Sequence, residues 1–212
     1  MEKIVIACLG KYLSKSGIDL ALIESGVFGQ GVVDASVMQG GHYVKGKEGM
    51  AMIAEAMNAL LFEQFLEDES DGFLEMSIED LRGDIQRALV HLQQEDLESF
   101  KAVWLQSKLN STGIQQRFKD WKTNSGNENV LYWAYFIDTV YPVLRDLTHA
   151  IRTGSWSLFI SAKRRAMALF FVFGRTNYSR WGPIELQDSL DLQRKFPSLH
   201  AHFEKAPSKE VL

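Results

Sequence analysis

Apolar residues recur along most of this chain at intervals of three and four, the spacing that lays them on one face of an α-helix. Ile4, Ala7 and Cys8 begin such a stripe near the N-terminus, and Ile18–Ser25 reads as a short second helix stopped by Gly26. From about Lys45 to Leu66 the stripe runs through Met50, Ile53, Ala54, Met57, Leu60, Leu61 and Phe65, which predicts a core helix. Ser77 with Asp80 three residues later marks a helix start, and that helix is expected to run to about Gln94. Further stripes pass through Leu97, Phe100, Val103 and Trp104, then through Ile114, Phe118 and Trp121. The longest begins near Asn129 and holds Val130, Trp133, Ala134, Ile137, Val140, Tyr141, Leu144, Leu147 and Ile151 on one side. Pro142 falls inside it and predicts a kink, because proline removes a backbone donor and crowds the preceding turn. A last stripe, Ser155 to Phe173, turns Trp156, Phe159, Ile160, Ala166, Met167, Phe170 and Phe173 inward.

Between these stripes lie breakers. Gly29, Gly31, Gly40 and Gly41 read as turns, Glu67 to Gly72 as an acidic turn, and Asn124–Asn127 as a loop. Gly154 separates two long stripes by so little chain that they must pack antiparallel. No run of alternating β-branched residues occurs. The pattern therefore predicts an all-α, multi-helix bundle of about nine helices with no substantial sheet, as a single helical domain over residues 1–205 and a disordered tail over 206–212.

Composition narrows the class without naming a function. With 46% apolar and 24% charged residues and only 4 prolines in 212, the chain is long enough to bury a substantial core and has no linker-like stretch. The formal net charge of -4 gives no global reason to expect nucleic acid or an acidic membrane. The average hides an asymmetry, however: Glu48–Glu98 holds 14 acidic residues against 2 basic ones (Arg82, Arg87), whereas Arg145–Arg180 holds 7 basic against 1 acidic (Asp146). The single cysteine, Cys8, excludes an intrachain disulfide and a cysteine-based zinc site, which predicts a reducing, intracellular setting, nucleus or cytoplasm. No apolar run reaches the roughly 18–20 residues a bilayer span needs, so no membrane partner is expected. The short apolar N-terminus resembles a secretory signal only in outline; Lys11 and Lys15 favour an amphipathic helix.

Motif chemistry is sparse. The glycine spacing fits neither GxGxxG nor GxxxxGK[ST], the acidic turn lacks the calcium-loop pattern, and there is no GxSxG, HExxH or HD pair. His200 and His202 would point about 200° apart on a helix, and Pro197-Ser198 looks like a helix start, so they do not form a metal pair. The expectation is a non-enzyme with no metal and no cofactor. The segment that stands out is Lys163–Pro183. It joins a strongly apolar run, Leu169 to Phe173, to Lys163, Arg164, Arg165, Arg175, Tyr178, Arg180 and Trp181. Consecutive Lys163, Arg164 and Arg165 cannot all face one way on a helix, so at least one must turn toward the bundle. Arg175, Tyr178, Arg180 and Trp181 are expected in the connection after that helix, where guanidinium and ring could meet phosphate and base. Ion pairs to Glu55, Glu185 or Asp188 would use the same cations for structure alone.

At Asn177-Tyr178-Ser179-Arg180-Trp181-Gly182-Pro183-Ile184-Glu185-Leu186-Gln187-Asp188 the chain resembles a mostly uncharacterised eukaryotic family of mobile-element origin, known from invertebrate and fungal genomes. Members carry an NYARW-x-P-x-x-L-x-D-M segment followed by a leucine, a histidine-proline and a phenylalanine; here the tail reads Leu192, Phe196-Pro197 and Phe203. Three further segments agree in order: Leu22–Gly29, then His42-Tyr43 with Lys45-Gly46 and Glu55-Ala56, then Gly154–Leu158. The resemblance implies a relation to RNase H-like transposases, which hold two divalent ions on carboxylates for phosphodiester chemistry. The family's upstream strands and later acidic helix have no counterpart here, so the resemblance is to the helical middle. Asp188 matches a family position, yet no carboxylate carries over as catalytic. The resulting expectation is a non-catalytic helical domain that binds DNA or a protein partner. The alternative is a scaffold that self-associates through its acidic and basic faces.

Overall fold

The computed structural model describes residues 1–69, 78–94, 96–106, 113–198 and 200–201, and among these every regular element is helical, with no strand. The chain is all-α, as its periodicity predicts. It forms two compact units, Met1–Glu55 with Tyr135–Leu212, and Ala56–Ala134. None of the helices among the described residues is long and apolar enough to cross a membrane. The predicted helix start at Ser77 and the expected tail 206–212 lie outside the described residues, as do His202 and Phe203.

In the first unit, α1 (Glu2–Leu13) buries Val5, Ile6, Cys8, Leu9 and Leu13 completely. α2 (Ile18–Glu24) follows a left-handed Gly17 and closes at left-handed Gly26, the stop its sequence predicts. α3 (Gln30–Val32) runs straight into a π-helical segment, Val33–Met38, which packs on α1 and buries Val33, Ser36 and Val37. Glycines make that packing close. Gly10 of α1 lies directly against the Met38 carbonyl, and Gly40, at φ +72°, against the carbonyl of Lys3. On α4 (Tyr43–Glu69), a Cβ at Gly46 would sit 2.7 Å from the Ser36 carbonyl oxygen, and one at Gly49 would sit 2.6 Å from the Val37 side chain. Gly40 does serve a turn as predicted, but Gly10 and Gly46 make room for a neighbouring backbone carbonyl and Gly49 for the Val37 side chain.

The helix predicted from Asn129 to Ile151 is divided in three: α8 (Glu128–Tyr135), a π-helical segment Phe136–Val140, and α9 (Tyr141–Thr153). Pro142 explains the division. It cannot donate to the Asp138 carbonyl and its ring crowds that turn, so the backbone widens just before it and restarts with proline at a first-turn position. α9 buries Val143, Leu144, Leu147 and Ala150. Ile151, expected inward, is 52% exposed because the stripe drifts past it after the π segment. α9 and α10 (Trp156–Val172) are joined across left-handed Gly154, whose turn is sealed by Ser155 N–H donating to the Ala150 carbonyl at 3.1 Å.

The same closure recurs at Gly174, φ 64°, where Arg175 N–H donates to the Phe170 carbonyl at 2.9 Å. The chain then enters α11 (Thr176–Lys195), a 20-residue helix. This corrects the expectation that Arg175–Trp181 is an irregular connection. Gly182-Pro183 reads as a breaker, yet the turn stays helical because side-chain-free Gly182 is buried flat against Met167, and packing outweighs local propensity. Lys163 meeting Glu185 and Ser189, Met167 meeting Gly182 and Phe170 meeting Tyr178 give the register of an antiparallel α10–α11 hairpin.

In the second unit the later half of α4 packs against α7 (Ile114–Asn124) through an aromatic cluster. Phe118 lies 5.2 Å from Phe62 and 5.4 Å from Phe65, ring centre to ring centre, and Trp121 lies 5.8 Å from Phe65. Trp121 Nε1–H donates to Asp68 at 3.1 Å, so Glu67–Glu69, expected in an acidic turn, belong to the last helical turn. Leu60, expected inward, is 55% exposed: its neighbours Leu61 and Phe65 take the core face. α5 (Ile78–Gln93) and α6 (Leu97–Gln106) pack on each other, and Asp96 caps α6 by accepting the Ser99 N–H at 3.0 Å.

Gly10→Ala is expected to lower stability by about 1–3 kcal/mol, the usual range for overpacking, since its methyl would strike a carbonyl that cannot swing aside. Gly182→Ala meets only the flexible end of Met167 and should cost less. Paired urea melts check the order.

Candidate functional site

The seven residues of the basic aromatic segment are sorted by the α10–α11 hairpin into inner and outer sets. Lys163 is buried on the α10–α11 side; its ammonium donates to Ser189 Oγ at 3.3 Å and lies 3.5 Å from Glu185 Oε2. Of the three acids proposed as structural partners, Glu185 is the one it meets. Arg165 is half-buried on the α9 side and donates through Nη2 to Asp146 Oδ2 at 2.7 Å. Asp146 takes a second bond, at 2.9 Å, from Arg145 Nε, so one carboxylate holds two guanidinium groups. Arg175 stands just before α11, half-buried, with its guanidinium beside the thiol of Cys8. The Nε atoms of Arg165 and Arg175 are buried without a hydrogen-bond partner among the described residues. Lys163 and Arg165 are thus tied to carboxylates of neighbouring helices, and Arg175 turns inward beside Cys8.

Arg164, Tyr178, Arg180 and Trp181 form the outer set, all exposed. Helical phase explains the sorting. On α11 the inner side is traced by Ser179, Gly182, Leu186 and Ser189, at least partly buried, which leaves Asn177, Arg180, Trp181 and Ile184 outward. Trp181 is 63% exposed; Tyr178, 46% exposed, leans its ring toward Phe170 at 5.5 Å. On α10, Arg164 sits in phase with exposed Ser157, Ser161, Ala168 and Phe171. Phe171, Val172 and Ile184 add further exposed apolar surface to the same two helices.

Electrostatics follow from these contacts. Burial alone would raise the Asp146 carboxyl, but hydrogen bonds and charge from Arg165 and Arg145 outweigh it and hold the group below the ordinary carboxylate range. For Cys8, burial dominates and pushes the thiol up, and the nearby cations of Arg175 and Lys11 offset only part of that. Lys11 is the one cation near Cys8 in sequence, and only the fold brings Arg175 to the thiol. Sequence reasoning missed Asp146 as the pivot for Arg145 and Arg165, since adjacency to Arg145 carries no sign of Arg165. Among the described residues no three His, Cys, Asp or Glu side chains gather closely enough to hold a metal ion.

A family model described as a domain of unknown function matches residues 4–207. No curated protein and no solved structure matches the chain.

Asp146→Asn should cost about 1–2 kcal/mol at neutral pH, because two guanidinium groups lose a charged acceptor. Its folded pKa lies below the unfolded value, so this stabilisation is present above about pH 4 and is lost as pH falls through the depressed folded pKa. The variant's stability should therefore fall less steeply below pH 4 than the wild type's in acid-dependent urea melts. Cys8 should resist a thiol reagent in the native protein and react at once in denaturant; fast labelling of folded protein would contradict the burial.

Proposed function

The chain belongs to the DUF8702 family; from the exposed basic and aromatic residues of the α10–α11 hairpin we propose that it is a non-catalytic helical module that binds DNA, akin to the helical middle of a transposon-derived protein. The observation that supports this most is the exposure of Arg164 and Arg180 together with Trp181 beside Arg180, while Lys163 and Arg165 are held by carboxylates and Arg175 is half-buried. Two exposed guanidinium groups able to meet phosphates, and on α11 an exposed indole able to stack on a base, are the elements of a single-strand platform. Glu185 leans toward Lys163, which draws one carboxylate of α11 away from that face. The site is small and sits on an acidic protein, so affinity should be modest and fall with salt at a shallow slope set by about two phosphate contacts.

A second reading is self-association through the same hairpin. Phe171, Val172, Trp181 and Ile184 are more than half exposed, and aromatic and arginine groups of this kind are enriched in protein interfaces.

Fluorescence anisotropy with single- and double-stranded oligonucleotides across a salt series tests the first reading. The Arg164→Ala/Arg180→Ala variant should bind single strands at least about tenfold more weakly and flatten the salt slope by about 1.4, two phosphate contacts at about 0.7 each. Trp181→Ala should cost a further 1–3 kcal/mol or so of binding through lost stacking. Undiminished binding by the double arginine variant, or no binding by wild type at low salt, would sink the DNA reading. Sedimentation velocity separates the second: a dimer dispersed by Trp181→Glu, without DNA affinity, would establish it instead.

A further inference from the structure

Away from the α10–α11 hairpin, the first unit holds a groove between the first turns of α4 and the outer face of α9. Two adjoining hollows of about 360 and 540 Å³ share Lys47, Thr148 and Arg152 as walls. Arg145, Thr148, His149 and Arg152 follow one another at helical spacing, so one face of α9 presents two guanidinium groups, an imidazole and a hydroxyl to the same space. Tyr141, Leu144 and Ala51 line one end of the groove, and Tyr43, Val44 and Ile151 the other.

The carboxylates in this groove are already occupied. Glu2 is mostly buried, lies 3.3 Å from the Lys47 ammonium and accepts the Thr148 hydroxyl at 2.9 Å. Glu48 at the rim is held by Lys45 at 2.8 Å. Lys47 is further fixed 4.8 Å over the Tyr43 ring, so the floor is ordered before anything binds. Arg145 shares Asp146 with Arg165. That leaves Arg152 and His149, whose side chains have no ion-pair partner among the described residues, and half of Arg145 facing a hollow with aromatic and aliphatic walls.

We propose that this groove is a binding site for a phosphate group carried on a planar or apolar body, with Arg145, His149 and Arg152 as phosphate donors and the Tyr141 ring with Leu144 beside the body. A guanidinium pair on one helical face suits the tetrahedral oxygens of a phosphomonoester, because each fork can offer parallel N–H donors. Its size suits a ligand of nucleotide dimensions rather than a bare ion. The phosphate could arrive on a free mononucleotide or within a nucleic-acid strand, and the chemistry of the groove is the same for both.

Isothermal titration with adenosine monophosphate, adenosine and inorganic phosphate tests the proposal on the full chain. Adenosine monophosphate should bind more tightly than inorganic phosphate, and adenosine should bind weakly or not at all. Arg152→Gln and the His149→Gln/Arg152→Gln double variant should weaken the nucleotide about tenfold or more, the loss expected for one or two charge-assisted hydrogen bonds, with an unchanged melting midpoint since neither side chain is buried. Anisotropy with the oligonucleotides then distinguishes the sources. Strand affinity unaffected by the double variant assigns the groove to a free nucleotide; strand affinity lowered in parallel assigns it to a strand phosphate. Absence of any adenosine monophosphate binding at millimolar concentration, or binding indifferent to both variants, would overturn the site. Neither result bears on Arg164 and Arg180, so the hairpin reading stands or falls separately.

Discussion

Backbone contact at a few glycines is the constraint on which the first unit depends. Gly10, Gly40, Gly46 and Gly49 each present an empty Cβ position to a neighbouring carbonyl or valine, and together they bring α1, the π-helical segment Val33–Met38 and the start of α4 closer than side chains would permit. Dense packing of this kind transmits any added atom to several helices at once. The seam also places Glu2 of α1 under Lys47 of α4 and beside Thr148 of α9, so the polar floor of the groove exists because the glycines let those helices converge.

Around that seam, cations do two kinds of work. Lys163, Arg165 and Arg175 are drawn inward and tie α9, α10, α11 and α1 to one another through Glu185, Ser189, Asp146 and the neighbourhood of Cys8. The Asp146 carboxylate is central, since two guanidinium groups converge on it. Partly buried pairs of this sort add directionality more than net energy, because desolvation cancels much of the attraction. Arg164 and Arg180 escape these ties. The local excess of positive charge therefore appears at the surface only where internal partners have run out, on the hairpin and in the groove beside α9.

Much of the architecture was legible from periodicity. The helices over Glu2–Leu13, Ile18–Glu24, Tyr43–Glu69 and Trp156–Val172 lie where apolar spacing and glycine stops put them, because amphipathic helices announce their buried face every three to four residues. Asn127 behaves as a loop residue should, accepting the Asn129 N–H at 2.9 Å to start α8. Errors arose where two local signals conflicted. Gly182-Pro183 signalled a break, but the face of Met167 held the helix together; Ile151 fitted the stripe, but the π turn before Pro142 rotated the phase beyond it.

Lys163, Arg164 and Arg165 show where the information divides. Sequence alone established that three consecutive cations on a helix must diverge, that the chain is all-α, and that positive charge collects between Arg145 and Arg180 while negative charge collects before it. Those properties are local or additive, so they survive without coordinates. Which cation turned inward, that Arg175 came to rest beside Cys8, and that Lys47 joined Arg145, His149 and Arg152 around one hollow were decided only in tertiary structure. Such contacts join residues far apart in the chain, and nothing in the spacing of either partner encodes the distance that packing finally leaves between them.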